Sequence, residues 1–232
     1  MPESQEKHHP PIRSYVLRQG RMTPGQQRAF AELWPHFGLT PPTVTLEFQQ
    51  IFANSNPVYL EIGFGNGKAL AEAADLHPHN NYLGVEVHGP GVGHLMIKLA
   101  EQQSSNVRIL QTDAMDLLRH RIPPNSLSGV FLFFPDPWPK KKHHKRRIVQ
   151  AEFVKLIQCA LKPGGYLHMA TDWEHYAQQM MAVCSAADGF VNQAGTGNFS
   201  PRPQERPLTK FERRGKKLGH RVWDLIFVYE QP

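Results

Sequence analysis

One carboxylate in this chain has a setting unlike that of the other acids. Asp136 lies between Pro135 and Pro137, just after the apolar run Val130–Phe134 and just before Trp138. Lys140, Lys141, Lys142, Lys145, Arg146 and Arg147 follow, with no acid among them. The apolar run reads as a buried strand, and ligands of open α/β sheets bind beyond the carboxyl ends of strands. A carboxylate and an exposed aromatic ring are therefore expected at a reaction site, beside a surface suited to a polyanion. That pairing points to chemistry performed on a nucleic acid.

A second constellation lies upstream. Glu61, Gly63, Gly65 and Gly67 follow a short apolar run and precede a helical pattern. Glycines there allow a sharp turn and close approach of backbone to a ligand. The dinucleotide fingerprint wants glycine where Lys68 stands, and the acid at Glu61 would repel a pyrophosphate. Glu86 and Asp113 end the next two strands, where acids accept hydrogen bonds from ribose hydroxyls or an adenine amine. Loop and acids together describe an adenosyl pocket without phosphate recognition. S-adenosylmethionine, with its ribose, adenine, ammonium and sulfonium, fits that description. Each acid alone also reads as a helix cap or a surface residue.

The elements that must position these residues alternate. Strands are expected at Val58–Ile62, Tyr82–Val87, Val107–Gln111, Gly129–Phe134, Tyr166–Ala170, Phe190–Ala194 and Val222–Tyr229. Helices are expected at Lys68–Leu76, Pro90–Gln103, Ala114–Arg119, Ile148–Leu161 and Trp173–Ala187. Such alternation builds βαβ units and a mostly parallel sheet. Thr23 followed by Pro24 marks an earlier helix running to about Leu33. Residues 1–40 read as a flexible basic tail with that short helix, and 41–232 as the main domain.

Composition bounds the rest. The 232 residues suffice for one good-sized core. No apolar run reaches the length of a membrane span, and Met1–His9 lacks the apolar stretch of a signal peptide. Cys159 and Cys184 are isolated, which fits a reduced cytosolic setting. The net charge of +6 is focused on residues 140–147 and 195–221, the latter carrying eight Lys/Arg against Glu205 and Glu212. Thirteen histidines invite a metal reading, but His143-His144 and His77-x-His79 lack a third ligand at useful spacing, so no metal site is expected.

These motifs resemble those of the bacterial tRNA (guanine-N7-)-methyltransferase family. The carriers are Arg18-Gln19-Gly20-Arg21, the Glu61–Gly67 loop, Gly84–His88 with Pro90–Gly93, Phe133–Trp138, Lys145–Arg147, Thr171–Trp173 and Thr209–Glu212. The resemblance implies a Rossmann-like class I methyltransferase fold, with a seven-stranded, mostly parallel sheet, one antiparallel strand and helices on both faces. It implies methylation of guanine 46 in the tRNA variable loop. Glu61, Gly63, Gly65, Gly67, Glu86, Asp113 and Asp136 would line the S-adenosylmethionine pocket, with Asp136 catalytic. Lys140, Asp172 and Thr209, Lys210, Phe211 and Glu212 would contact the substrate. Lys142, Lys145, Arg146 and Arg147 would contact RNA, joined by Arg18. A cytoplasmic monomer with tRNA as its partner and no membrane attachment follows.

The chemistry is consistent with those assignments. Guanine N7 carries an available lone pair, so the protein must align atoms and stabilise a developing cation rather than remove a proton. An Arg fork to O6 and N7 would block the nucleophile, so carboxylates must read the N1–H and N2–H edge. Asp136, Asp172 and Glu212 are the candidates. Trp138 either stacks on a base or anchors its loop; Trp173 reads as core. Three alternatives stay open: a methyltransferase with another acceptor, a catalytically silent tRNA-binding protein, and a nicotinamide dehydrogenase.

Overall fold

The computed structural model describes residues 13–16, 20–41, 43–204, 206–207, 212, 219 and 221–231. Its centre is β2 (Val58–Ile62) beside β3 (Asn81–Val85), two short strands buried on both faces. Parallel strands sandwiched between helices must be apolar on both sides, and these are. With β1 (Gly38–Leu39), β4 (Val107–Leu110), β5 (Leu127–Phe133), β6 (Leu161–Thr171), β7 (Phe190–Asn192) and β8 (Trp223–Tyr229) they form one sheet of order β1-β4-β3-β2-β5-β6-β8-β7. β8 runs antiparallel to both β6 and β7, and the other pairings are parallel.

From β2 the chain steps outward through β3 to β4, then returns to place β5 on the other side of β2. This reversal opens a crevice at the carboxyl ends of β2 and β5, where such sheets bind ligands. The glycine loop leaves β2 and the Asp136 loop leaves β5, so the topology brings the two motifs together.

Helices cover each face with its own core. On one side α4 (Lys68–Leu76) and α5 (Gly89–Glu101) bury Leu70, Leu95, Met96 and Leu99. On the other, α6 (Ala114–His120), α7 (Ala151–Ala160) and α8 (Glu174–Ser185) bury Leu117, Phe153, Ile157, Tyr176 and Met180. The short helices α2 (Trp34–Phe37) and α3 (Phe48–Phe52) lie on the approach to the main sheet. The first helix, α1 (Pro24–Glu32), opens with a reciprocal capping box: Gln26 N donates to the Thr23 hydroxyl at 3.3 Å, and Thr23 N to Gln26 Oε1 at 2.8 Å. Gln26 Nε2 also donates to the Pro90 carbonyl at 2.9 Å, which fastens α1 to α5.

Several boundaries differ from expectation for physical reasons. The sheet has eight strands rather than seven, because Gly38–Leu39 pairs with β4; two residues carry no readable periodicity. Residues 20–39 are thus joined to the sheet and to α5. α7 begins at Ala151, not Ile148, because Ile148–Gln150 form a short connection in which Val149 N donates to the Tyr176 hydroxyl at 3.2 Å. The Lys162–Gly165 turn lies within β6, which shifts register there against β5. A 3-10 helix over Lys141–Arg146 has no counterpart in the expected elements.

Candidate active site

The glycine loop is shaped from both sides. Gly63, Gly65 and Gly67 all take positive φ, 70°, 60° and 70°, where a Cβ is strained. Beneath Gly67, a Cβ would lie 2.5 Å from Leu95; beneath Gly65, a Cβ on Gly91 would lie 2.0 Å from the Gly65 carbonyl oxygen. Above Gly63 and Gly65, a Cβ would meet nothing within 4 Å. The loop is therefore packed on its inner side and open on its outer side, as a cradle for a ligand must be.

The acids are held in distinct ways. Glu86 Oε2 accepts from Gly65 N at 2.9 Å, and Oε1 from Val87 N at 2.7 Å and His88 N at 3.0 Å. Its carboxylate thereby ties β3 to the loop. Asp113 caps α6, accepting from Met115 N at 2.7 Å and Asp116 N at 3.3 Å, and lines a cavity beside the glycine-loop cavity with Tyr15 and Arg146. Tyr15 faces it; burial, and next the Asp113 carboxylate, raise the phenol pKa. Glu61 is 4% exposed. Burial, then the charge of Glu86, push its carboxyl up to about 8, so the acid is largely neutral at pH 7.

A cavity of about 120 Å³ lies over the loop, walled by Gly63, Val85, Glu86, Leu132 and Asp136, with Ser14 and Tyr15 across it. Glu61 opens instead into an adjoining aromatic cavity of about 300 Å³, with Tyr59, Phe131, Tyr166 and His168. The alternation of β2 sends Glu61 to the Tyr59 side and Ile62 to the other, and Phe133 lines both spaces.

Asp136 is exposed on a loop bracketed by two non-glycine residues at positive φ, Phe134 at 52° and Trp138 at 44°. Such conformations cost about 1–3 kcal/mol each and persist where surrounding contacts enforce them. Phe134 N donates to the Ala170 carbonyl at 2.7 Å, and Trp138 N to Asp136 Oδ1 at 3.1 Å. Trp138, expected to be exposed, is 8% exposed; its indole N–H donates to the Ser14 carbonyl at 3.1 Å. The ring is an anchor here, and it holds the N-terminal segment across the cavity.

The basic run divides. Lys140, Lys142 and Lys145 are exposed. Arg146 donates to the carbonyls of Arg13 and Tyr15, each at 3.1 Å. Arg147, expected to contact RNA, is 1% exposed. Its guanidinium is spent on Pro137, His175 and Gln179, so it has no surface to offer a phosphate. The second basic segment is also partly spent: Arg202 and Arg206 hold the two oxygens of buried Glu212 at 2.9 and 2.7 Å, and Arg206 reaches Asp224 at 2.8 Å. Asp172 is half-buried after β6, and Trp173, expected in the core, is 40% exposed. Arg18, Thr209, Lys210 and Phe211 lie outside the described residues. Among the described residues no cluster of three or more His, Cys, Asp or Glu is arranged to hold a metal ion.

Ser14 and Tyr15 join the site without a sequence signal of their own; Gly91 lies in the Pro90–Gly93 motif, but the motif does not by itself place it beneath Gly65. Ser14 and Trp138 are 124 positions apart, and no spacing rule links residues so distant.

The sheet order, the antiparallel β8, the open glycine cradle and the strand-end acids define an S-adenosylmethionine-dependent methyltransferase of class I. Residues 55–225 match the model of a family described as putative methyltransferase. The solved 16S rRNA methyltransferase KamB shares this fold at TM-score 0.59 and 15% identity, over 79% of this chain and 93% of its own. The aminoglycoside resistance methyltransferase NpmB1 does so at TM-score 0.56 and 17% identity, over 83% and 97%. The tRNA (guanine-N(7)-)-methyltransferase of Hydrogenovibrio crunogenus is 55% identical over 95% of this chain and 92% of its own length. That of Nitrosospira multiformis is 52% identical over 96% of each. The chain belongs to the tRNA (guanine-N7-)-methyltransferase family.

Proposed function

We propose that this protein methylates N7 of guanine 46 in the variable loop of tRNA, yielding 7-methylguanosine and S-adenosylhomocysteine. The observation that carries the reading is the placement of Asp136. It stands exposed at the rim of the glycine-loop cavity, on the loop that leads directly into the exposed lysines. The activity named for the relatives at 52–55% identity agrees with it.

S-adenosylmethionine supplies an electrophilic methyl group on a sulfonium. Glu86 would take the ribose hydroxyls, Asp113 would hold the adenine side, and the backbone of Gly63, Gly65 and Gly67 would cradle the remainder. Leu132, Val85 and Tyr15 exclude water from the adenosyl moiety.

With the methyl donor bound, guanine N7 would take the methyl group with its own lone pair, the sulfur leaving with the C–S electron pair as neutral S-adenosylhomocysteine, so the protein has no proton to remove. Asp136 and Asp172 accept from N1–H and N2–H of the base. Glu212 is committed to Arg202 and Arg206. Positive charge grows on the guanine ring during transfer, so the bonds from Asp136 strengthen toward the transition state. Adenine has neither donor and would leave a carboxylate unpaired, at about 1–3 kcal/mol. Lys140, Lys142, Lys145 and Arg146 neutralise tRNA phosphates, joined by Arg18. The reading includes a cytoplasmic, monomeric protein, and no helix among the described residues is long and apolar enough to cross a membrane.

The test is transfer of labelled methyl from S-adenosylmethionine to unmodified tRNA, followed by nucleoside analysis and mapping of the modified position. Label in 7-methylguanosine at position 46, lost with Asp136→Ala, is the expected result. Label in another nucleoside, or at another guanine, would overturn the reading.

A further inference from the structure

Arg147 is the largest side chain among those buried most completely, and it is a cation without a carboxylate partner among the described hydrogen bonds and ion pairs. Nε donates to the Pro137 carbonyl at 2.8 Å. NH1 meets His175 Nδ1 at 2.9 Å and donates to Gln179 Oε1 at 2.7 Å. The guanidinium carbon lies 4.7 Å from the centre of the Tyr176 ring. NH2 is buried and makes no hydrogen bond. Gln179 is fixed in turn by donating Nε2 to the Val149 carbonyl at 3.0 Å.

This is a poor arrangement for stability alone. A buried charge without a counter-charge is costly, and an apolar side chain of similar volume is often as stable or more so. The geometry has another consequence. Arg147 joins α8, through His175 and Gln179, to the backbone one residue beyond Asp136. That backbone needs a tie, because Phe134 and Trp138 both stand at positive φ without being glycine. The Pro137 carbonyl, held by Arg147 Nε, lies in the Pro137–Trp138 peptide plane, and the N–H of that same plane, Trp138 N, donates to Asp136 Oδ1 at 3.1 Å, so fixing the plane fixes the direction of the carboxylate.

We propose that Arg147 is a positioning residue: it acts through the Pro137 carbonyl to aim Asp136 at the base, and it does not contact RNA. The proposal rests on the functional reading above and separates Arg147 from the exposed cations next to it. Lysine is not an equivalent, since a single ammonium cannot span Pro137 on one side and Gln179 on the other.

Two variants and three readouts test it. Arg147→Met keeps the stem and removes the charge. Gln179→Leu leaves Arg147 in place but removes one of its supports. For Arg147→Met the expected result is a 10- to 100-fold lower single-turnover methylation rate at saturating tRNA, on the order of a misaimed catalytic group. The tRNA affinity, and its dependence on salt, stay within about twofold of the unaltered protein. Gln179→Leu shows the same pattern in weaker form, with the charge still present. Hydrogen exchange at the amides of Phe134, Asp136 and Trp138 speeds up in both, while that of β2 and β3 does not.

The opposite pattern would overturn the proposal: weaker tRNA binding, a salt dependence reduced by about one counterion, and an unchanged rate at saturation. Unchanged exchange in the Asp136 loop would also overturn it. Were the unaltered protein inactive on tRNA, the functional reading would fall, and the exchange measurement would still decide whether Arg147 orders the loop.

Discussion

The guanidinium of Arg146 lies 3.9 Å over the ring of Trp138. Both side chains reach the same short segment, Trp138 through the Ser14 carbonyl and Arg146 through the carbonyls of Arg13 and Tyr15. A cation from the basic run, the aromatic residue of the Asp136 loop and the segment crossing the adenosyl cavity are therefore one contact group. In the proposed function, RNA at Arg146, cofactor under Tyr15 and the set of the Asp136 loop would share neighbours.

Trp138 gives the first prediction. Trp138→Phe keeps a smaller ring beneath Arg146 and loses the indole hydrogen bond, about 1 kcal/mol, together with part of the buried ring area. Trp138→Ala removes a buried ring and costs about 3–5 kcal/mol. Urea denaturation of the two variants gives both values. Equal losses would mean that the ring contributes little beyond its N–H.

Glu61 gives a pH dependence. Its folded pKa, raised from 4.5 to about 8, makes the folded state bind the proton more tightly than the unfolded chain does. Below pH 4.5 the group is neutral in both states and has no effect. As pH rises from 4.5 to 8 the unfolded chain ionises first, so stability without cofactor falls, by at most about 5 kcal/mol. Glu61→Gln removes that slope and is the more stable form at pH 8. Chemical denaturation at pH 5 and pH 8 measures both. A slope of the same size in the Gln variant would assign it to another group.

In the proposed function the exposed lysines set the salt dependence of tRNA binding. Replacing Lys140, Lys142 or Lys145 with Ala is expected to lower affinity and to reduce the slope of log K against log salt by about one each. Filter binding across a salt series measures this. An unchanged slope for all three would remove the Lys141–Arg146 helix and its flanks from the RNA surface.

Gly91 supports the glycine cradle from below. Gly91→Ala drives a Cβ into the Gly65 carbonyl, 2.0 Å away, and so displaces the backbone that carries the Glu86 hydrogen bond. Cofactor affinity is expected to fall about tenfold or more, at least 1.4 kcal/mol by calorimetry. Normal affinity would mean that α5 shifts instead of the loop.

Asp136 separates binding from chemistry. Asp136→Asn retains size and one acceptor oxygen but loses the charge that, in the proposed function, stabilises the methylated base. The single-turnover rate is expected to fall roughly 100-fold, with a smaller change in tRNA affinity. Reduced affinity with an intact rate would reassign Asp136 to substrate binding alone.

The sequence by itself determined the sheet, the loops at its carboxyl edge and the chemistry brought there. Runs such as Val58–Ile62 and Lys68–Leu76 carry their own periodicity. Glycines, prolines and acids at strand ends are constrained by backbone geometry a few residues away. Those interactions are local, and local order is what a residue string records. The tertiary structure alone decided which way the side chains of the basic run turned. Arg147 and Lys145 look alike in sequence, yet one is buried under the catalytic loop and the other is in solvent. Glu212 and Asp172 look like equal readers of guanine, yet Glu212 is held between two arginines. Ser14 meets Trp138, and Gly38–Leu39 extends the sheet, through contacts between segments far apart in the chain. A charged residue's partner is chosen by the packing of whole elements, and no spacing along the chain specifies it.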